Sequence, residues 1–234
     1  MTINYITKHE GTFEKKLMQG ALTSILETPQ VNWLGAKSFE LPTISVTGYK
    51  AHTRSKGYNS GTVSNDKKVY TLGFDRDVEF FVDAADVDET NQELSVANVS
   101  NTFITEHATP EVDAYRFSKI ATEAITNSHF KSEDDLSEVN IYTKLKAALL
   151  PIRKYGAQNI VMYVSSEVMD FLERSKEFTR SIATTSPQGI DTRVTSLDGV
   201  QLIEVWDDAR FKTKFDFTEG FVKASDGKNI NFLI

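Results

Sequence analysis

The first regular pattern along the chain is a stripe of apolar residues at helical spacing within residues 12–26. Thr12 stands where an N-cap belongs and Pro29 follows the stripe, so the pattern predicts an amphipathic helix. The apolar positions are Phe13, Leu17, Ala21, Leu22, Ile25 and Leu26. Because polar residues precede the stripe, we interpret it either as an N-terminal arm that packs elsewhere or as an ordinary first helix.

Two stretches with β-strand character flank a segment of unusual composition. Residues 39–46 and 69–82 alternate β-branched or aromatic residues with polar ones, and Pro42 limits the first stretch to an edge or a strand start. Residues 49–68 between them are rich in Gly, Ser and Asn. Since a structureless loop of about 20 residues is uncommon in a compact domain, we interpret the segment as an extended β-hairpin. Such a hairpin needs another molecule to lie against; the alternative is a flexible surface loop.

A long helical region is predicted next, because no glycine occurs between Gly73 and Gly156. Asp86 with Glu89, or Thr90 with Glu93, has the spacing of a capping box for a helix that runs to about residue 108. Thr109-Pro110 then matches an N-cap followed by a proline at the first helical position. The pattern predicts a helical spine over residues 88–125, broken near this proline.

The second half of the chain alternates helical and strand patterns. We predict a helix over residues 137–155 that is perturbed near Pro151, then a buried strand over 159–164. Ser165 is the predicted N-cap of the next helix, and a polar loop is expected over 175–191. Asp198-Gly199 predicts a hairpin turn within residues 193–205, and residues 211–234 alternate again and end in an apolar run.

Composition and charge restrict the class of protein. Of the 234 residues, 40% are hydrophobic and 25% are charged, which is typical of an ordered globular chain. A net charge of −7 gives no electrostatic drive toward nucleic-acid phosphates, so we do not expect sequence-specific DNA binding. The absence of cysteine excludes disulfides and thiolate sites. No window approaches the roughly 18 apolar residues of a membrane span, so no membrane partner is expected.

Opposite charges are concentrated in two adjacent blocks. The basic block lies in the predicted hairpin and consists of Lys50, Arg54, Lys56, Lys67 and Lys68. The acidic block follows directly, and its candidate contact residues are Asp75, Asp77, Asp83, Asp86, Asp88, Glu89 and Glu93. Because a hairpin points its tip away from its own base, we predict that the basic block of one subunit contacts the acidic block of a neighbour. Rotation around a ring would make this contact repeatable.

Known catalytic and metal-binding motifs are not found in this sequence. The four histidines do not have the spacing of a zinc pair, and there is no glycine-rich phosphate loop. Residues 86–90 begin like a calcium loop, but Asn91 replaces the required glycine. Ser165-Ser166 lacks the glycines of a nucleophile elbow. We therefore expect neither an enzyme nor a bound cofactor or metal.

Several motifs, taken in order, resemble the major capsid proteins of tailed double-stranded DNA bacteriophages that infect Gram-positive bacteria. The similarity extends over nearly the whole chain. The motifs are residues 70–76 (YTLGFDR) leading into 81–83 (FVD), 88–90 (DET), 110–120 (PEVDAYRFSKI), 164–168 (VSSEV) with Leu172, and 197–199 (LDG) with 203–205 (IEV). This resemblance implies an α+β chain with the Hong Kong 97-like capsid fold.

The resemblance also implies a division of the chain. It comprises an N-terminal arm (1–36), an extended loop or E-loop with its flanking strands (37–83), a P-domain with the spine helix (84–120), a mixed α/β A-domain (121–204) and a returning P-domain β segment (205–234). Two departures are visible. Trp206-Asp-Asp208 stands where the group often has a proline, and such proteins usually continue beyond the equivalent of Ile234. The expectation is therefore a partial chain or one without those last strands.

The implied function is structural. The chain would self-assemble into hexamers and pentamers of an icosahedral head that encloses DNA, with scaffolding and portal proteins as partners, assembly in the host cytoplasm and a final location in the virion. A negative charge suits a shell whose inner face must not hold phosphates. An encapsulin-like compartment on the same fold is one alternative. A hydrolase or carbohydrate-binding domain is the other, and a pocket with convergent carboxylates would be its signature.

Overall fold

The computed structural model describes residues 19–27, 32–35, 37–52, 54, 57–89, 95–130, 135–176 and 194–234. It is a mixed α+β protein, as predicted. The chain divides into two compact units. The hairpin unit is Leu26–Phe81, and the main unit comprises the described residues before and after it. The finer division into arm, E-loop, P-domain and A-domain stays a prediction.

The hairpin unit is an antiparallel sheet of β1 (Asn32–Gly35), β2 (Ser38–Val46) and β3 (Val63–Thr71), in that order. β2 and β3 pair along their whole length, with Val46 opposite Val63 at the loop end. Pro42 lies beyond the stretch of β2 that pairs with β1, where β2 has an open edge. This position agrees with the prediction that proline marks an edge.

The boundaries of the second strand differ from the prediction. β3 starts at Val63 and ends at Thr71, whereas residues 72–83 are neither strand nor helix. The predicted strand at Val78 and Phe80 is therefore wrong, because an alternating segment becomes a strand only when a neighbour takes up its backbone hydrogen bonds. Among the described strands, none pairs with this segment. The described residues of 49–62 form an irregular loop rather than strands.

In the main unit, the helices begin with α1 (Ala84–Glu89), α2 (Val96–Phe103) and α3 (Thr109–Thr126). A π-helical turn, Ile104–Ala108, joins α2 to α3, so the predicted break near Pro110 is a widened turn inside a continuous helix. Pro110 has no N–H and its ring crowds the preceding turn, and a wider turn relieves that conflict. Thr109 is itself helical, with φ −62°, and the prediction that it is an N-cap is wrong.

The predicted capping boxes are not the ones that the chain uses. α1 begins at Ala84, and the Asp83 carboxylate accepts a hydrogen bond from the amide of Ala85 at 3.1 Å. α2 is capped by Ser95, whose hydroxyl accepts from the amide of Asn98 at 3.4 Å. The box predicted from Thr90 lies outside the described residues. The predicted helix of residues 12–26 lies partly outside them; residues 19–22 are not helical, and Thr23–Leu26 is a 3₁₀ turn.

The remaining helices of the main unit pack around a sheet. α4 (Ile141–Leu149) continues into a 3₁₀ helix, Leu150–Tyr155, which contains Pro151, as the predicted perturbation there implies. The helix starts at Ile141 rather than at residue 137. α5 (Ser166–Arg174) has the predicted Ser165 cap, whose hydroxyl accepts from the amide of Val168 at 3.4 Å. Most of the predicted loop over 175–191 lies outside the described residues.

The strands of the main unit are β4 (Val161–Ser165), β5 (Ser196–Leu197), β6 (Val200–Val205), β7 (Phe215–Asp216), β8 (Val222–Lys223) and β9 (Phe232–Leu233). One sheet has the order β5-β6-β4-β9, and β7 pairs with β8 separately. β6 runs parallel to β4, and β9 runs antiparallel to it. The predicted turn between β5 and β6 is confirmed, since Asp198 and Gly199 have φ of 52° and 80°, as a type I′ turn requires.

Hydrophobic side chains cover both faces of β4, as its continuous apolar run predicts. Met162 and Val164 belong to a cluster with α4 and α5. Tyr163 belongs to a second cluster, in which the Phe117 ring of α3 makes edge-to-face contacts with Tyr163 at 5.1 Å and Phe211 at 4.9 Å. The main unit therefore has a packed core built on the two sides of one sheet.

Candidate assembly surface

The hairpin unit carries an exposed apolar face. Directly opposite residues of an antiparallel pair project to the same side, so Ile44, Val46, Val63 and Val69 lie on one face of β2 and β3. These four side chains are between 59% and 73% exposed. On the same face Lys67 forms an ion pair with Glu40, with the Lys67 Nζ 2.9 Å from the carboxylate. Ile44, Val46 and Val63 thus form an exposed apolar patch at the loop end, and Asn65 and the ion pair separate it from Val69.

The opposite face of the hairpin is lined by aromatic and hydroxyl side chains. The Phe39 ring stacks on Tyr70 with centroids 5.5 Å apart, and Trp33 of β1 contacts the edge of Phe39 at 5.7 Å. Nearer the loop, the hydroxyls of Ser45 and Ser64 are 2.9 Å apart. No described residue of the hairpin unit is buried. The aromatic contacts give the ribbon some order without giving it a core.

The predicted basic residues are distributed over both faces and the loop. Lys50 donates to the carbonyl of Ser60 at 2.9 Å and helps to close the loop. Lys67 is the partner of Glu40 on the apolar face, whereas Lys68 lies opposite Leu41 on the other face. Arg54 is exposed in the loop, and Lys56 lies outside the described residues. The basic block is therefore not a single patch, and Lys67 already has an acidic partner in its own chain.

The predicted acidic residues are divided between the two units. Asp75 and Asp77 belong to the hairpin unit, and Asp83 and the residues after it belong to the main unit. Asp75 forms an exposed ion pair with Lys37 at 2.5 Å. The hydrogen bond and charge of that partner lower the pKa of Asp75 and raise the pKa of Lys37. Asp75 thus has a partner in its own chain.

The acidic residues of α1 lie toward its C-terminal end, whereas the predicted capping box of Asp86 and Glu89 would place them at the start of a helix. They were expected near a helix N-terminus, where carboxylates are favourable, but α1 ends at Glu89. Asp88 and Glu89 are exposed at its C-terminal end, where negative charge is unfavourable, and its last turn has no basic residue. The side chain of Asp86 and all of Glu93 lie outside the described residues. A cation supplied by another molecule would relieve the unfavourable charge at this helix end.

A buried polar cluster, which sequence reasoning did not find, fixes the segment that we call the strap (Gln19–Thr23) to the main unit. Asp113 of α3 accepts from the amides of Leu22 at 2.9 Å and Thr23 at 3.1 Å, and from the Thr23 hydroxyl at 2.5 Å. Asp113 also forms an ion pair with Arg210, whose Nη1 lies 3.2 Å from the Asp113 carboxylate. Both charged side chains are almost completely buried. Such a pair persists only when further hydrogen bonds satisfy it.

The side chain of Arg210 binds the backbone of the strap. The guanidinium donates to the carbonyls of Gln19 at 3.1 Å and Gly20 at 3.3 Å, and its Nε donates to Asp207 at 3.2 Å. The Tyr163 hydroxyl donates to the carbonyl of Leu22 at 3.1 Å, and burial, followed by the nearby Asp113 charge, raises the Tyr163 pKa to about 12. No local sequence signal connects these residues, because Asp113 and Arg210 are 97 positions apart.

Two cavities indent the main unit. One, of about 350 Å³, lies beside α5 and the end of β6 and is lined by Ser166, Met169, Asp170, Glu173, Glu204 and Trp206. The other, of about 550 Å³, lies between α4 and the β5–β6 turn, where Asp198 forms ion pairs with Lys146 at 3.1 Å and with Arg153. Hydrogen bonds to Asp198 and Tyr142 raise the pKa of Lys146. The first cavity is lined by three acidic side chains. In the second, the one acidic side chain, Asp198, is paired with two basic ones.

Comparisons with protein-family models, curated proteins and solved structures found no match. Within the described part of the chain, no group of three or more His, Asp or Glu side chains is arranged to hold a metal ion. In the same residues, no helix combines the length and apolar character needed to cross a bilayer. The capsid resemblance of the sequence motifs thus stands as a hypothesis.

Proposed function

We propose that this chain is a structural shell subunit similar to the major capsid proteins of tailed double-stranded DNA bacteriophages. In this proposal, copies with the Hong Kong 97-like fold associate into hexamers and pentamers of an icosahedral head. Scaffolding and portal proteins are the partners of the subunit, and the head encloses DNA without sequence-specific binding. The subunit acts by self-association rather than catalysis; heads form in the host cytoplasm and become virions.

One observation carries the proposal: the hairpin unit contains no buried residue among those described, and Ile44, Val46 and Val63 form an exposed apolar patch on one of its faces. β1 pairs with β2 only as far as Glu40, and beyond it the sheet is a two-stranded ribbon, which is marginally stable in water without a surface to pack on. Exposed apolar side chains that form a continuous patch mark an interaction site, whereas single ones need no explanation. A shell subunit supplies the missing surface with neighbouring copies, so that each hairpin becomes ordered in the assembly.

Charge supports the same interpretation. Asp88 and Glu89 at the C-terminal end of α1 lack a cation in the last turn of their helix, and Arg54 and Lys68 are exposed in the hairpin unit. An exposed ion pair contributes only about 0.2–1 kcal/mol. In a closed shell the pair is repeated in every subunit, so that a weak contact decides whether the shell forms.

The test is assembly of the purified full chain, measured by negative-stain microscopy and light scattering. We expect closed particles from the unmodified protein and a folded, soluble, poorly assembling subunit when Arg54, Lys56 and Lys68 are all changed to Glu. High salt should also weaken assembly of the unmodified protein, since it screens exposed charges.

The matched control reverses three exposed lysines of the main unit, Lys154, Lys223 and Lys228. It changes the net charge by the same amount and should leave assembly intact. Normal particles from the hairpin variant would remove the role of the basic block. Absence of particles from the unmodified chain at any concentration would overturn the shell proposal. Particles that hold a protein cargo instead of DNA would favour the encapsulin-like alternative.

A further inference from the structure

The cavity between α4 and the β5–β6 turn has an aliphatic base. It is lined by Leu149 at the end of α4, Val200 at the start of β6 and Ile160 just before β4, and all three are buried. Ala157 completes the apolar lining. The volume of about 550 Å³ suits a small molecule, whose sites combine a mostly apolar wall with a few polar groups. The base of this cavity is therefore suited to the hydrocarbon part of a ligand.

The polar side chains of the same cavity carry an excess of positive charge. Lys146 and Arg153, two cations, share one carboxylate, that of Asp198. The Lys146 Nζ lies 3.1 Å from Oδ1 of Asp198, and Arg153 contacts Oδ2 through Nη2. Among the described residues, no other acidic side chain lines the cavity. One positive charge of the lining is therefore not balanced by a negative one.

Both cations retain donor groups for a ligand at the mouth of the cavity. The side chains of Lys146 and Arg153 are 35% and 48% exposed, so solvent reaches them. A guanidinium has five N–H donors, and in the described part of the chain that of Arg153 bonds to Asp198 alone. The Lys146 ammonium contacts Asp198 and the Tyr142 hydroxyl, which leaves one of its three donors. An anionic group can thus bind without breaking the existing ion pairs.

The backbone fixes the carboxylate that both cations contact. Asp198 has a φ of 52° in the tight turn with Gly199, and this turn holds its side chain within reach of α4 and of the 3₁₀ helix that follows α4. We propose that the cavity binds a small carboxylate with an aliphatic chain, such as a medium-chain fatty acid anion. The carboxylate of the ligand accepts charge-assisted hydrogen bonds from Arg153 and Lys146, and its chain covers the aliphatic base.

The experiment is equilibrium dialysis of the full chain against radiolabelled octanoate. Dialysis counts bound octanoate per chain whether the chains are associated or separate, so the result does not depend on shell assembly. We expect saturable binding. Unlabelled acetate, which lacks the chain, and octanamide, which lacks the charge, should both compete more weakly than unlabelled octanoate does. Absence of saturable binding, or equal competition by octanamide and octanoate, would overturn the proposal.

Two variants should change the affinity in opposite directions. Arg153→Gln removes a cation that is about half exposed, so the Kd should rise roughly 2- to 5-fold, as expected for an exposed ion pair. Asp198→Asn removes the competing carboxylate and should lower the Kd by a similar factor. Asparagine is favoured at a positive φ, so the turn should persist. The matched control is Lys154→Gln, at an exposed position outside the cavity lining, which should leave the Kd unchanged.

The pattern of the three variants decides whether octanoate binds in this cavity. The same Kd in all three would assign the binding to another apolar surface and overturn the proposal. Weaker binding by a folded Asp198→Asn variant would also overturn it, because the carboxylate would then attract the ligand rather than compete with it. Circular dichroism establishes that each variant is folded, and Arg153→Gln tests the site by itself if the turn variant does not fold.

Discussion

Replacing Asp113 by Ala should destabilise the main unit strongly. The change removes four contacts: the amides of Leu22 and Thr23, the Thr23 hydroxyl and the guanidinium of Arg210. It also leaves a fully buried guanidinium without its main counter-charge, since the remaining carboxylate partner, Asp207, is partly exposed. Removing one member of a buried pair costs about 3–5 kcal/mol. Because total stabilities are about 5–15 kcal/mol, this is a large fraction.

The effect is measured by urea unfolding followed by circular dichroism. With a slope of about 2 kcal/mol per molar urea, the midpoint should fall by roughly 1.5–2.5 M. Asp113→Asn keeps one oxygen acceptor and should cost less, about 1–3 kcal/mol. Hydrogen exchange gives a local readout, because the amides of Leu22 and Thr23 lose their acceptor and should exchange faster in the Ala variant.

The matched control is Asp226→Ala, which removes a carboxylate from an exposed ion pair with Lys214. Exposed pairs contribute little, so its unfolding midpoint should stay close to that of the unmodified protein. If Asp113→Ala shifts the midpoint no more than Asp226→Ala does, the buried cluster does not hold the strap, and the reasoning from burial is wrong.

Three further outcomes are expected. The Tyr163 pKa is raised to about 12 from 10.0, so the neutral phenol stabilises the folded state fully below pH 10, and that contribution is lost as the pH rises toward 12. Tyr163→Phe should remove the tyrosinate absorbance that appears last in an alkaline titration, and an unchanged titration curve would contradict this. Leu145→Ala, at a fully buried position, should cost about 2–5 kcal/mol by thermal or urea unfolding; Leu150→Ala, at an exposed one, is the control, and equal costs would refute the core assignment. Gly199→Ala, at φ +80°, should cost about 1 kcal/mol or more, whereas Gly73→Ala, in open space without a positive φ, should be nearly neutral in the same assay; a neutral Gly199→Ala would contradict the turn assignment.

Sequence alone determined the elements whose causes lie within a few residues. The Ser165 cap and the Asp198-Gly199 turn follow from local backbone chemistry, and both are confirmed. The two-sided burial of β4 follows from its continuous apolar run. In the hairpin unit, the strand of residues 39–46 was located to within one residue. Other short-range signals failed, since Thr109 is helical rather than an N-cap and Asp86 lies inside α1 rather than at its start.

Only the tertiary structure decided where charges are placed relative to helix ends and to one another. The end of α1 at Glu89 puts Asp88 and Glu89 at the end of the helix where the dipole disfavours negative charge. The ion pair of Lys37 with Asp75 and the buried pair of Asp113 with Arg210 join residues 38 and 97 positions apart. No spacing rule connects such residues, because the fold alone brings them within hydrogen-bonding distance. The alternating stretch after Thr71 is the same case, since a strand exists only where a second strand accepts its backbone hydrogen bonds.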